Sequence, residues 1–135
     1  MDRLFLDANV LFSAAYSAHS GLKELWKLSN VKLCSSHYAL EEARINLADE
    51  TQRQRLNKLA GDLELLDTPS GDLPQGILLP PKDVPIMLAA IAGSATYLLT
   101  GDIRHFGKYF GKKVCGIIVL APGDYLRKVS KSVVQ

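Results

Sequence analysis

Short apolar runs alternate with segments of helical spacing along this chain, and the runs stop abruptly at polar residues. Residues 3–6 form the first run, which ends at Asp7 and is followed by apolar residues at helical spacing. Residues 31–34 form a second run, after which Ser35 or Ser36 can cap a helix. Repeated strand, helix, strand order implies right-handed crossovers and a mostly parallel sheet. The sequence therefore predicts an α/β fold in which helices cover both faces of that sheet.

The rest of the chain continues this alternation. Further strands are predicted at residues 63–66, 97–100 and 114–120, and further helices at residues 22–28, 51–59 and 82–92 and after Pro122. Asp83 is expected to cap the helix over residues 82–92, and Gly93 is expected to end it. Residues 67–81 contain four prolines and two glycines, which predicts a loop. Cys34 and Cys115 each fall in a predicted strand and are expected to be buried free thiols.

Length and composition predict one compact domain over residues 1–135. With 135 residues and 47% hydrophobic content, the chain can bury a core but is too short for a second full domain. The formal charge of +2 does not by itself indicate a nucleic-acid binder. The N-terminus lacks a signal-peptide pattern, and no apolar run approaches the ~20 residues that span a bilayer. A cytoplasmic protein with no membrane partner is therefore expected.

Positive charge is concentrated in the C-terminal part of the chain. From Ile103 onward, Asp124 is the only acidic residue. The basic residues of this stretch are Arg104, Lys108, Lys112, Lys113, Arg127, Lys128 and Lys131. Such a stretch either docks a polyanion or forms a solvated, lysine-rich surface.

Four carboxylates lie where apolar runs break, and together they predict a metal site. They are Asp7, Glu42, Asp83 and Asp102. Asp7 and Asp102 directly follow predicted strands, whereas Glu42 and Asp83 lie in the helices after strand-to-helix connections. All four are therefore expected to face one crevice at the carboxyl ends of the strands. Clustered carboxylates repel one another unless a cation neutralises them. Oxygen-only clusters favour Mg²⁺ or Mn²⁺, which activate water for phosphodiester cleavage, so a metal-dependent nuclease is the leading interpretation.

Several of these residues also have a simpler explanation. Asp7 and Asp83 stand where aspartate commonly caps a helix. Glu41 and Glu42 point about 100° apart on a helix, so only one of them can share the crevice with the aspartates. Glu42 is preferred because it lies one residue nearer the helix interior. Asn9 either orients Asp7 or caps a helix.

Residues close to Asp102 are candidates for supporting roles. Thr100 and Gly101 allow a sharp turn that projects the Asp102 carboxylate from the sheet edge. Arg104 and His105 are near enough in sequence to reach a phosphate or a metal-bound water at the same edge. The alternative for His105 is an ordinary surface histidine.

Four segments occur in an order that resembles the PIN-domain ribonucleases: LDANVLFSA, LEEARINL, KDVPIMLAAIAGSATYLLTGDIRHFG and VLAPGDYL. The chain is most similar in character to the VapC-like toxin components of toxin–antitoxin pairs. The resemblance implies a PIN-like, Rossmann-like α/β/α sandwich, dependence on Mg²⁺ or Mn²⁺, and endonucleolytic cleavage of RNA. It also implies an antitoxin partner and a possible homodimer.

The resemblance also assigns roles to particular residues. The family's acidic set falls on Asp7, Glu42, Asp83 and Asp102, with Asn9 as the polar residue after the first aspartate. The three aspartates are expected to hold the metal, and the glutamate is expected to place the attacking water. The supporting or phosphate-binding residues are expected to be Asn9, Thr100, Arg104 and His105.

The chain departs from the family pattern after the last aspartate. Many members carry a further acidic or polar residue there, whereas this chain has Ile103, Arg104 and His105. The departure affects the half of the site that would hold a second metal ion. It leaves a catalytically silent PIN-like module, which binds RNA or a protein, as the alternative function. A phosphotransfer enzyme or phosphatase of another α/β family is disfavoured because Asn9 stands where a DxD pattern needs its second aspartate. For a toxin, the helices at residues 22–28 and 51–59 are the expected antitoxin surfaces.

Overall fold

The structure is a computed structural model that describes residues 1–134, with side chains described through residue 130. Its strands are β1 (Asp2–Leu6), β2 (Val31–Ser36), β3 (Glu64–Leu66), β4 (Tyr97–Leu99), β5 (Lys113–Val114) and β6 (Ile117–Leu120). Its α-helices are α1 (Ala8–Tyr16), α2 (His37–Asn46), α3 (Glu50–Ala60), α4 (Val84–Ala92), α5 (Ile103–Phe106) and α6 (Pro122–Val134). Turns of 3-10 helix occur at Gly21–Lys27, Pro81–Asp83 and Gly107–Tyr109.

The six strands form one sheet in the order β3-β2-β1-β4-β6-β5. The neighbours pair in parallel, except that β5 is antiparallel to β6. The chain runs outward from β1 to β2 and β3, and then returns to β4 on the other side of β1. Because parallel crossovers are right-handed, this reversal places the helices of the two halves on opposite faces of the sheet. The predicted α/β/α sandwich is thus confirmed, and the reversal opens a crevice at the carboxyl ends of β1 and β4.

The central strand β1 anchors the core. Leu4, Phe5 and Leu6 are fully buried between β2 and β4, as expected for a strand covered on both faces. The hydroxyl of Ser35 donates a hydrogen bond of 2.7 Å to the Leu6 carbonyl, which joins β2 to the end of β1. Ser36 then caps α2 by accepting from the backbone of residue 39 at 3.1 Å. These contacts hold the carboxyl ends of β1 and β2 together, just below the crevice.

The single strand predicted at residues 114–120 is wrong, because this segment is a hairpin. Cys115 and Gly116 have φ angles of 51° and 82°, the positive values that a two-residue hairpin turn needs at both positions. Cys115 is exposed in this turn rather than buried in a strand, whereas Cys34 is buried as expected, and both are free thiols. The hairpin also ends the strict strand–helix alternation.

Three helical predictions change in detail. The segment predicted as a helix over residues 22–28 is a 3-10 helix, Gly21–Lys27. The sharp turn expected at Thr100 and Gly101 leads directly into the short helix α5, and the Asp102 side chain caps that helix. Asp83 makes no side-chain capping hydrogen bond to α4, although Gly93 ends that helix as expected. The capping explanation for Asp83 is therefore wrong. In the region described, residues 1–134, no helix has the length and apolar character needed to cross a membrane.

Candidate metal centre

A cavity of about 560 Å³ opens at the carboxyl ends of β1 and β4. Its polar lining consists of Asp7, Asn9, Ser13, Glu42, Asn46, Lys82, Asp83 and Asp102. The four carboxylates singled out from the sequence therefore line one cavity, although they come from four separate segments. Asp7 and Asp83 are deeply buried, with 4% and 6% of their surface exposed, so their charges are largely shielded from water.

Both carboxylate oxygens of Asp7 accept hydrogen bonds. Oδ1 accepts from the backbone N–H of Ala8 at 2.6 Å, so this aspartate caps α1 as well as facing the cavity. Oδ2 accepts from the Thr100 hydroxyl at 2.8 Å and from Asn9 Nδ2 at 3.1 Å. Functional and capping explanations for Asp7 are thus compatible.

Asn9 and Thr100 connect Asp7 to the loop that carries Asp102. Asn9 Oδ1 accepts from the backbone N–H of Gly101 at 2.8 Å. Thr100 is fully buried, and its Oγ1 accepts from the Asp102 N–H at 3.1 Å and from Asn9 Nδ2 at 3.2 Å. The Asn9 amide group and the Thr100 hydroxyl already donate their hydrogens within the site, so neither has a free donor for a phosphate in this arrangement. Both instead fix the relative positions of the two aspartates.

The charged forms of three cavity carboxylates are disfavoured. Burial raises the pKa of Asp7 to about 6, and its hydrogen bonds only partly oppose this rise. Burial also raises the pKa of Asp83, against the opposing charge of His105. Burial raises the pKa of Glu42 as well, and the nearby Lys82 opposes the change. A dication bound among these groups would favour their ionised forms.

Asp83, Asp102 and His105 lie closest together of the potential metal ligands. One ligand atom from each lies within 4.8 Å of the other two. Within the described part of the chain, no other three His, Cys, Asp or Glu side chains meet this distance. His105 Nδ1 lies 2.8 Å from Asp83 Oδ2 and 2.8 Å from Asp102 Oδ2. Asp83 Oδ2 and His105 Nδ1 are nevertheless buried atoms without a well-formed hydrogen bond.

This geometry fits a divalent cation. Two ligands at 2.0–2.1 Å and at right angles around an octahedral ion lie about 2.9 Å apart. The two 2.8 Å separations agree with that value. Buried polar atoms without partners are rare in proteins, and a shared cation would satisfy both orphaned atoms at once. The donor set therefore suits a metal.

The structure distinguishes between Glu41 and Glu42. Glu42 lines the cavity, whereas Glu41 pairs with Arg44 on the surface of α2, at 2.6 Å. The two other sequence candidates, Arg104 and His105, line a second cavity of about 240 Å³ together with Lys108 and the loop residues 78–80. Arg104 is exposed and faces this neighbouring cavity rather than the carboxylates.

Sequence reasoning did not identify Ser13, Asn46 or Lys82 as part of the cavity. Ser13 follows Asn9 by four residues, and Asn46 follows Glu42 by four, so each shares a helix face with a residue already singled out. That spacing was the available signal for both. Lys82 directly precedes Asp83 and brings the one cationic side chain that lines the larger cavity.

The basic C-terminal stretch divides into different environments. Arg127 donates to Asp124 on α6, and Lys128 donates to the Tyr97 hydroxyl. Arg104 and Lys108 line the second cavity beside the carboxylates. The side chain of Lys131 lies outside the described residues. Positive charge near the candidate centre therefore comes from α5 and its following turn and from Lys82, not from α6.

No protein-family model matches this sequence, and no curated protein matches it. The fold is similar to that of a chain in the crystal structure of VapBC2 from Rickettsia felis bound to a DNA fragment from its promoter. The TM-score is 0.67 and the identity is 20%, over 88% of this chain and 98% of that chain. The similarity establishes the architecture: this chain has a PIN-like fold, with a mostly parallel central sheet between helical layers.

Proposed function

We propose that this protein is a divalent-metal-dependent endoribonuclease and the toxin of a toxin–antitoxin pair. The observation that carries the proposal is the convergence of Asp7, Glu42, Asp83 and Asp102 on one cavity, with a buried Asp83 oxygen that has no well-formed hydrogen bond. The similarity to a VapBC2 chain supports the same conclusion through the fold. Electrostatics adds a reason, because a bound cation would stabilise the charged forms of Asp7 and Asp83 that burial disfavours.

The residues of the cavity divide the chemistry between them. Asp83 and Asp102 would hold Mg²⁺ or Mn²⁺, with Asp7 contributing directly or through water. The ion would polarise the scissile phosphate and lower the pKa of a bound water. Glu42 is half-buried at the cavity wall, where its carboxylate can orient the attacking water and accept its proton.

Positive charge beside the cavity suits a phosphodiester substrate. Lys82 lines the carboxylate cavity, and Arg104 and Lys108 line the adjoining one. Cations at these positions would neutralise the phosphate of the substrate and charge developing on it during cleavage. We therefore assign RNA phosphate contacts to these residues, and cleavage of cellular RNA in the cytoplasm to the protein.

An antitoxin chain is the proposed protein partner, and a homodimer is a further proposed state. The helices expected to bind the antitoxin are those at residues 22–28 and 51–59. Their apolar side chains pack largely inward, and Leu25 and Leu56 are fully buried. Trp26 donates its Nε1–H to the Leu59 carbonyl at 3.0 Å, which joins these two segments to each other. In the described part of the chain, large apolar side chains that are exposed lie elsewhere, at Met1, Tyr16, Tyr38, Ile45, Leu78 and Ile103.

Metal-dependent cleavage of a mixed RNA pool tests the proposal. Wild-type protein should cut RNA in Mg²⁺ or Mn²⁺ and stop when the metal is chelated, and both Asp7→Asn and Asp102→Asn should abolish cleavage. These substitutions keep the shape of the side chain but remove its charge. Absence of cleavage with every RNA, together with absence of Mn²⁺ binding by calorimetry, would identify a silent binding module instead.

A further inference from the structure

The His105 ring makes an unusual contact with two carboxylates. Its Nδ1 lies 2.8 Å from Asp83 Oδ2 and equally far from Asp102 Oδ2. An N–H group points in one direction only, so one ring nitrogen cannot donate well-aligned hydrogen bonds to both oxygens. Nδ1 and Asp83 Oδ2 are buried without a well-formed hydrogen bond. The two separations of 2.8 Å from Nδ1 match the spacing of adjacent ligands around a common ion.

The backbone places these three groups for such a role. Asp102 Oδ1 accepts from the His105 N–H at 3.1 Å as the cap of α5, which leaves Asp102 Oδ2 directed at the ring. Asp83 ends the 3-10 turn Pro81–Asp83, where its backbone N–H donates to the Pro80 carbonyl at 2.9 Å. Its side chain is 8% exposed and makes no cap, so Oδ2 remains available.

Asp7 stands apart from this group. Both of its oxygens already accept hydrogen bonds from Ala8, Asn9 and Thr100. It does not belong to the set of ligand atoms within 4.8 Å that the described residues provide. Asp83, Asp102 and His105 therefore form the compact donor set, and Asp7 lies beside it in the same cavity.

We propose that His105 Nδ1 is a direct metal ligand and that the centre consequently prefers Mn²⁺ to Mg²⁺. This inference rests on the proposed metal-dependent function and replaces the phosphate contact expected for His105. Mg²⁺ prefers oxygen ligands, whereas imidazole nitrogen suits first-row transition metals. Replacing one oxygen by nitrogen in a three-residue donor set therefore weakens Mg²⁺ relative to Mn²⁺.

Metal binding to the full-length protein, without RNA, tests this assignment. Calorimetry with Mn²⁺ and with Mg²⁺ gives the affinity ratio, and pulsed electron paramagnetic resonance of bound Mn²⁺ detects a coordinated ¹⁴N. His105→Gln removes the ring nitrogen. His37→Gln is the matched control, because His37 is exposed and lies 3.8 Å from Asp67, outside the carboxylate cavity.

We expect ¹⁴N coupling in the wild type and in His37→Gln, and its loss in His105→Gln. The Mn²⁺ affinity should fall at least about tenfold in His105→Gln, with a smaller change for Mg²⁺. His105→Asp restores an oxygen ligand, so it should shift the affinity ratio toward Mg²⁺. Thermal unfolding in chelator shows whether each variant is folded.

Two results would overturn the assignment. One is bound Mn²⁺ without ¹⁴N coupling in the wild type, a measurement that needs no variant and so stands even if His105→Gln fails to fold. The other is a folded His105→Gln that binds Mn²⁺ as the wild type does. RNA cleavage is not a readout here, so a failure of the nuclease proposal would leave the metal result intact, and the reverse also holds.

Discussion

The hydroxyl of Thr100 donates a hydrogen bond of 2.8 Å to Asp7 Oδ2, and so joins the end of β4 to the end of β1. These positions are 93 residues apart in the chain. The same hydroxyl oxygen accepts from the backbone of Asp102, so one buried threonine fixes both aspartates. Thr100 is thus a positioning residue for the candidate centre.

Thr100→Val should weaken both the fold and the site. The substitution preserves shape but removes one of the two donors to Asp7 Oδ2, leaving Asn9 Nδ2 as the other. A hydrogen bond to a charged group contributes about 1.5–3 kcal/mol. We expect the free energy of unfolding to fall by about that amount at neutral pH, measured by urea denaturation. Thr51→Val, at an exposed position on α3, is the control and should unfold like the wild type. Equal stability of the two variants would contradict the proposed role of Thr100.

The charge on Asp7 should make the metal-free protein less stable as the pH rises. Its pKa is about 6 in the folded state, against an ordinary value of 3.8 for aspartate, so the folded state binds the proton more tightly than the unfolded state does. The stabilising effect of protonation is full below about pH 3.8 and is lost as the pH rises through about 6. Asp7→Asn lacks this titration.

The measurement is a difference between two pH profiles. Between about pH 4 and about pH 7 in chelator, the free energy of unfolding of the wild type should decrease relative to Asp7→Asn, by at most about 3 kcal/mol. Saturating Mn²⁺ should reduce the difference, because the cation favours the ionised carboxylate. Parallel profiles in chelator would show that Asp7 titrates normally.

The two adjacent glutamates of α2 provide a matched pair. Glu42→Gln should reduce the RNA cleavage rate by about 10²-fold or more, since positioned general bases contribute 10²- to 10⁴-fold. Glu41→Gln should leave the rate within about twofold, because Glu41 only pairs with Arg44 at the surface. Single-turnover cleavage at saturating protein separates this effect from RNA binding. Equal rates in the two variants would remove Glu42 from the mechanism.

Arg104 should contribute to RNA binding through charge. We expect Arg104→Gln to weaken binding and to reduce the slope of log affinity against log salt by about 0.7, the value for one phosphate contact to a single strand. Fluorescence anisotropy with a labelled RNA, in an Asp102→Asn background that prevents cleavage, measures both quantities. Lys113→Gln, on the exposed strand β5 away from both cavities, is the control. An unchanged slope would place Arg104 outside the RNA path.

Local pattern was enough to predict the sandwich, because strand and helix periodicities are short-range properties of the chain. Asp7 and Asp102 were found in this way, since each follows an apolar strand at the crossover side of the sheet. The hairpin at Cys115 was missed because residues 114–120 are largely apolar throughout, and only a pair of positive φ angles reveals the turn. The proposed catalytic roles of these residues stay predictions.

The sequence by itself determined the layered α/β architecture and the presence of four acidic residues at strand and helix junctions. Only the tertiary structure decided that Glu42 faces the cavity and that the Asp83 side chain makes no helix cap. It also decided that His105 contacts Asp83, which lies 22 residues earlier in the sequence. The physical reason is that periodicity depends on neighbours along the chain. The direction of a side chain in a shared cavity depends instead on crossovers that bring distant segments to one sheet edge.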